Sequence, residues 1–156
     1  MMKHVDVDDL DNWMGPADVK RPVGDALGTE HVGIRYYELE PGESTAFGYH
    51  AHADQEELFF VLEGTLSFET EDGEVEVEAG GAVRFEPGEF QRSYNASDER
   101  VRALGVGAPA DGGELTLLRD CEDCGERTDQ EIERSDDGEG LVTVCVECGA
   151  ETGQFS

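Results

Sequence analysis

The chain has 156 residues, room for one barrel-sized domain and a small appendage. Its 38 acidic residues against 11 basic ones give a formal net charge of −27, and Lys3 and Lys20 are the only lysines. So acidic a chain lacks the cationic footprint of a nucleic-acid binder, and no apolar run approaches membrane-spanning length.

Repulsion among so many carboxylates opposes the compact state, and at molar salt a Debye length of about 3 Å screens most of it. The composition therefore resembles that of proteins from salt-loving microbes. A disordered acidic chain is excluded, because the charges are spread throughout and apolar strand-like runs recur between them. Met1 to Asp9 contains no apolar core for a signal peptide. All four cysteines fall in Cys-x-x-Cys pairs, a spacing that favours metal over disulfides in a reducing compartment. The expectation is a cytoplasmic protein.

Residues 1–31 read as an N-terminal arm without a sustained period. Asp8 to Met14 can make a short helix before Gly15-Pro16, and Trp13 needs a burial site somewhere. His4 reads as an ordinary surface histidine, and His31 as at most a spare ligand near a barrel mouth. From 32 to 108 short apolar runs alternate with turn residues. The predicted strands are Val32 to Leu39, a histidine strand around His50, a strand from Glu57 to Gly64, Thr65 to Thr70, Val75 to Glu78, Ala82 to Phe85, Phe90 to Tyr94 and Val101 to Gly107. Asp72-Gly73 marks a hairpin turn. Many short strands at near-regular intervals imply an all-β antiparallel sandwich or barrel. Residues 109–118, rich in Gly, Ala and Pro, read as a linker, and 119–156 as a separate cysteine-bearing segment with one clear strand from Leu141 to Val146.

His50 and His52 are two apart, so on an extended strand both imidazoles leave the same face. Glu57 heads the next strand, and the pleat puts its rival Glu56 on the opposite side. Two imidazoles and a carboxylate make a site for a divalent metal with open positions. The pattern His-x-His, four residues, Glu, six residues, Gly (His50, His52, Glu57, Gly64) resembles the first motif of the cupin family. That resemblance implies a double-stranded β-helix, or jelly-roll, barrel with a metal inside. The family's second motif is matched in part: Gly88 and Asn95 stand at its glycine and asparagine, the proline is shifted to Pro87, and Gln91 occupies the place of a third histidine.

Gln91 can ligate through its carbonyl, can hydrogen-bond a metal-bound water, or can mark a site that has lost its metal. Iron, manganese, nickel and zinc are the candidate barrel metals. Tyr49, Phe59, Phe68, Phe85 and Phe90 read as core. Arg84 and Arg92 can meet an anionic ligand, but in so acidic a chain they read better as partners of neighbouring carboxylates. Leu58, Phe60 and Leu62 make the Glu57 strand apolar on its outer face as well, which calls for a cover by the N-terminal arm or a second subunit and predicts a homodimer; cupins commonly dimerise.

Cys121-x-x-Cys124-Gly and Cys145-x-x-Cys148-Gly resemble the two knuckles of a zinc ribbon. Four thiolates close a tetrahedral site, so the zinc here is expected to be structural; iron of the rubredoxin type is the alternative. Acidic residues far outnumber Arg119, Arg127 and Arg134 from 119 onward, which disfavours phosphate and leaves a protein contact or simple stabilisation as the ribbon's role. Three functional readings follow: a cupin that binds a metal and a small-molecule ligand; a metal-dependent oxygenase, isomerase or lyase on a small polar substrate; and a scaffold whose only metal is the ribbon zinc. Fold-level analogy cannot separate them.

Overall fold

The computed structural model describes all 156 residues, and their strands form two antiparallel sheets. The smaller contains β1 (Val19–Arg21), β2 (Gly33–Leu39), β4 (Glu56–Glu63), β7 (Ala82–Phe85) and β9 (Val101–Ala108), in the order β1-β2-β9-β4-β7. The larger begins with β3 (Tyr49–His52), β5 (Thr65–Thr70), β6 (Gly73–Glu78) and β8 (Gln91–Tyr94), in the order β3-β8-β5-β6. It continues on the other edge of β3 through β10 (Leu115–Cys121), β11 (Glu126–Arg134), β12 (Leu141–Cys145) and β13 (Glu151–Phe155). Every strand predicted between 32 and 108 is present, within about two residues at each end.

The alternation of side chains decides what lies between the sheets. On β4, Phe59 and Val61 face inward, on β2 Tyr37 and Leu39, and on β5 Leu66 and Phe68; with Phe85, Val101 and Ala103 they close the core. Gly64 ends the first motif for two reasons: its φ is 77°, and a Cβ there would stand 2.9 Å from the Arg100 carbonyl. Asn95 is buried and structural. Its amide donates to the Leu39 and Glu99 carbonyls, and its oxygen accepts from Ser97. The Asp72-Gly73 hairpin forms where expected, pairing Thr70 with Gly73, and only the glycine enters the left-handed region.

Four strands lie outside the sequence-based expectation. In the arm, Asp8 to Met14 forms no helix beyond a single 3-10 turn at Val7–Asp9; a five-residue helix, α1 (Val23–Leu27), follows β1 instead. β1 pairs with β2 and sets Lys20 directly across from Tyr37. Of residues 109–118, Leu115 to Leu118 belong to β10, whose partner on one side is the histidine strand itself. β11 reads Glu-Arg-Thr-Asp-Gln-Glu-Ile-Glu-Arg and has no apolar alternation to announce it; its buried positions are Thr128 and Gln130. The cysteine-bearing segment thus continues the larger barrel sheet, with β10 shared between the two.

Candidate metal centres

His50 and His52 project from β3 toward Glu57 on the facing sheet. One atom able to bind a metal from each of these three residues, a ring nitrogen or a carboxylate oxygen, lies within 4.8 Å of the other two. His52 Nε2 stands 3.6 Å from Glu57 Oε2. His50 Nδ1 lies 2.9 Å from the Gly48 carbonyl, a contact that fixes the proton on Nδ1 and leaves Nε2 with a free lone pair directed into the site. Burial lowers the pKa of both imidazoles, that of His52 to about 4 with help from His50 and Arg35, so both are neutral near pH 7 as ligands must be.

Gln91 is paired with His50 across β8 and β3, so the register brings its amide to the same place. Its Nε2 lies 3.3 Å from His50 Nε2 and 3.3 Å from Glu57 Oε2, while its Oε1 is buried with no partner. The two amide termini exchange by a half-turn of the side chain. That turn puts the amide oxygen beside the two imidazoles and the carboxylate, where it can serve as a fourth donor to a cation. Glu57 is similarly out of balance: burial raises it to about 7, against the opposing pull of Arg35, the Gln91 hydrogen bond and Lys20. Glu56 points outward and pairs with Arg84, as the pleat requires.

With that geometry goes a match between residues 35–107 and the family model described as Cupin domain. This segment is a cupin domain. Solved structures share the fold beyond it. A sugar phosphate isomerase of the cupin superfamily from Silicibacter pomeroyi is similar with a TM-score of 0.62 at 22% identity, covering 96% of this chain and 92% of its own. The polyketide cyclase RemF from Streptomyces resistomycificus gives 0.65 at 23% identity over 79% and 89%. A protein from Acidithiobacillus ferrooxidans, provisionally named a sugar phosphate isomerase, gives 0.56 at 25% identity over 83% and 77%. No curated protein sequence matches the chain.

The cluster of His50, His52 and Glu57 opens onto a cavity of about 180 Å³ lined by Lys20, Arg35, Tyr37, Thr45, Phe47, Leu115 and Leu117 among others. Lys20 and Arg35 were not legible as site residues: the pairing of β1 with β2 carries Lys20 to the cavity, and Arg35 reaches it from β2 itself; the single hint was that the chain has so few lysines to place. Trp13 finds partial cover above them, with the Lys20 amine and the Arg35 guanidinium each 5.9 Å from its ring centre. Burial lowers Lys20 to about 8, with the Arg35 charge adding to the effect. Arg84 and Arg92 do not line the cavity: Arg84 bridges Glu56 and Glu86, and Arg92 stacks on Tyr94. His31 is exposed and also stays off the cavity wall. Leu115 and Leu117, opposite His52 and His50 on β10, wall the site with residues that composition alone placed in a linker.

The four cysteines form a second cluster, with Sγ atoms again within 4.8 Å of one another. Cys121 and Cys148 approach to 3.5 Å and Cys124 and Cys145 to 3.9 Å, all four as free thiols. The two knuckles are built alike. Gly125 donates to the Cys121 carbonyl and Gly149 to the Cys145 carbonyl, each at 2.9 Å, and their φ angles are 74° and 77°. Thr128 Oγ1 lies 3.0 Å from Cys145 Sγ and holds its pKa down, to about 6. Such a thiol is poised to become a thiolate ligand.

Proposed function

We propose that this cupin holds one divalent transition-metal ion through His50, His52 and Glu57, with Gln91 as a fourth ligand through Oε1, and binds a small molecule in the adjoining cavity. The observation that carries the reading is the convergence of those donors from two facing sheets at one end of a cavity of about 180 Å³. Two imidazoles, a carboxylate and an amide oxygen suit iron, manganese, nickel or zinc. Such an ion supplies Lewis-acid character or an activated water. The protein's own part is to keep both imidazoles neutral, to aim them through the Gly48 carbonyl, and to hold Tyr37 as a protonated hydroxyl on the cavity wall, its pKa raised by burial.

Zinc in the four-thiolate cluster of Cys121, Cys124, Cys145 and Cys148 is the companion proposal, structural in role because the thiolates fill its coordination sphere. The ribbon would then brace β10 against the histidine strand and remain available to a protein partner. Reduced thiols of this kind favour a cytoplasmic setting.

A second reading, a metal-dependent isomerase or lyase on a small polar substrate, is favoured by Tyr37, a proton donor in reach of the same cavity. It is in keeping with the names of the isomerase and cyclase neighbours. Elemental analysis of the purified chain, reconstituted with manganese and zinc, tests the proposal. Two metals per chain are expected, with His50→Ala losing one and Cys121→Ser the other. One metal per chain, unaltered by His50→Ala, would leave only the ribbon site and reduce the protein to a scaffold.

A further inference from the structure

Among the chain's few cations, most are spoken for. Arg21, Arg84, Arg100, Arg102 and Arg127 each pair with a carboxylate. Arg119 donates to the Phe47 and Thr152 carbonyls, and Arg134 to that of Gly138. Lys20 and Arg35 differ. Neither side chain forms an ion pair or a hydrogen bond, both line the metal-site cavity, and Arg35 Nε is buried without a partner. With 38 carboxylates in the chain, two adjacent cations without an ion pair on one cavity wall are a cost that the fold offsets only in part, through the Trp13 ring.

We propose that Lys20 and Arg35 form an oxyanion subsite beneath Trp13, which takes the carboxylate or phosphate end of a compact ligand whose other end lies at the metal ligands. This rests on the cavity being a ligand site, as proposed above. The strand register supplies the geometry. Lys20 faces Tyr37 across β1 and β2, and Arg35 lies two residues along β2 on the same face, so both charges point the same way into the cavity. A guanidinium and an ammonium together suit an oxyanion: the fork grips two oxygens and the amine supplies a mobile point charge. At about 180 Å³ the cavity is smaller than the roughly 300–1,000 Å³ of drug-sized sites, which restricts the ligand to a few carbons beyond its anionic end.

The arm acquires a role from this. Trp13 and Lys20 both belong to the stretch before β2, and Trp13 N–H donates to the Lys20 carbonyl along the backbone at 2.8 Å. Asn12 also accepts from the Lys20 amide and donates to Asp18, so the strap that carries the lysine is held in shape by its own hydrogen bonds.

The test is calorimetric titration of malonate and, separately, inorganic phosphate into metal-free and manganese-loaded protein at fixed ionic strength. At least one probe is expected to bind the metal-free wild type, and the preference between them tells a carboxylate ligand from a phosphate one. Lys20→Met with Arg35→Met should weaken that binding by about tenfold or more. Arg35→Lys, which keeps the charge and the fold, should lose less. Manganese affinity, read by electron paramagnetic resonance, should not weaken in the double variant, since removing two neighbouring cations can only favour a third. His50→Ala should do the reverse, losing manganese while keeping the anion. Absence of binding by either probe, or equal binding by wild type and double variant, would overturn the subsite. A wild type that binds the anion through Lys20 but no manganese would instead overturn the metal reading and leave the subsite standing.

Discussion

Glu57 is a carboxylate placed where a carboxylate is costly. Burial lifts it from its ordinary 4.5 to about 7, and Arg35, Gln91 and Lys20 only partly offset that. Because the folded pKa lies above the unfolded one, the folded chain holds the proton through this interval. Stability therefore falls as pH rises from about 4.5 to about 7, and the whole penalty is present above that. At 1.36 kcal/mol per pH unit it amounts to roughly 3 kcal/mol. His50 and His52 are already neutral above pH 7 and add nothing further there. Metal-free Glu57→Gln is thus expected to be more stable than metal-free wild type at pH 8, with the advantage gone near pH 4, as read from urea unfolding. Manganese should reverse the order, because it stabilises only the chain that can ligate it. Equal stabilities at pH 8 would remove the argument that Glu57 is held in place for a cation.

At the scale of elements, β4 carries two faces with different destinies. Glu57, Phe59 and Val61 point into the barrel, while Leu58, Phe60 and Leu62 remain 38%, 38% and 43% exposed. The arm does not cover them, for it spends its length on β1 and the cavity mouth. On the neighbouring strand Val106 lies beside Leu58 and Leu104 beside Phe60, so the apolar surface extends across β9. A second copy of the chain laid on this face would bury all of it, as sheets pack in sandwiches. Light scattering is expected to give a dimer for wild type and a monomer for Phe60→Glu, with the barrel metal retained in both. A monomeric wild type would mean that the exposed face has no such cover.

The molecule as a whole sets attraction among few cations against repulsion among many anions. Arg100 draws Asp18, Glu38 and Glu40 together and so ties the arm to the barrel. Salt weakens such half-exposed pairs, each worth about 0–1 kcal/mol, but it also screens a net charge of −27. The second effect should win. Raising salt from about 0.1 M to about 1 M shortens the Debye length from about 10 Å to about 3 Å, and the thermal midpoint is expected to rise through that range. A midpoint that falls would show that the ion pairs outweigh the repulsion.

What the sequence determined by itself was local. His50 and His52 share a face because strands alternate, Glu57 and Gly64 hold their motif spacing, and the cysteine pairs announce their own knuckles; each needs only a short stretch of chain. The barrel strands were legible for the same reason, since their apolar alternation is written residue by residue. Tertiary structure decided everything that depends on register between distant segments. It opposed Gln91 to His50, carried Lys20 across to Tyr37, and ran Leu115 and Leu117 alongside the histidines. Strands β11 and β13 escaped sequence reading because they pair through backbone groups while bearing mostly polar side chains. Backbone hydrogen bonds leave no trace in residue identity, whereas burial does, and that difference separates the part of the site that could be read from the part that had to be folded.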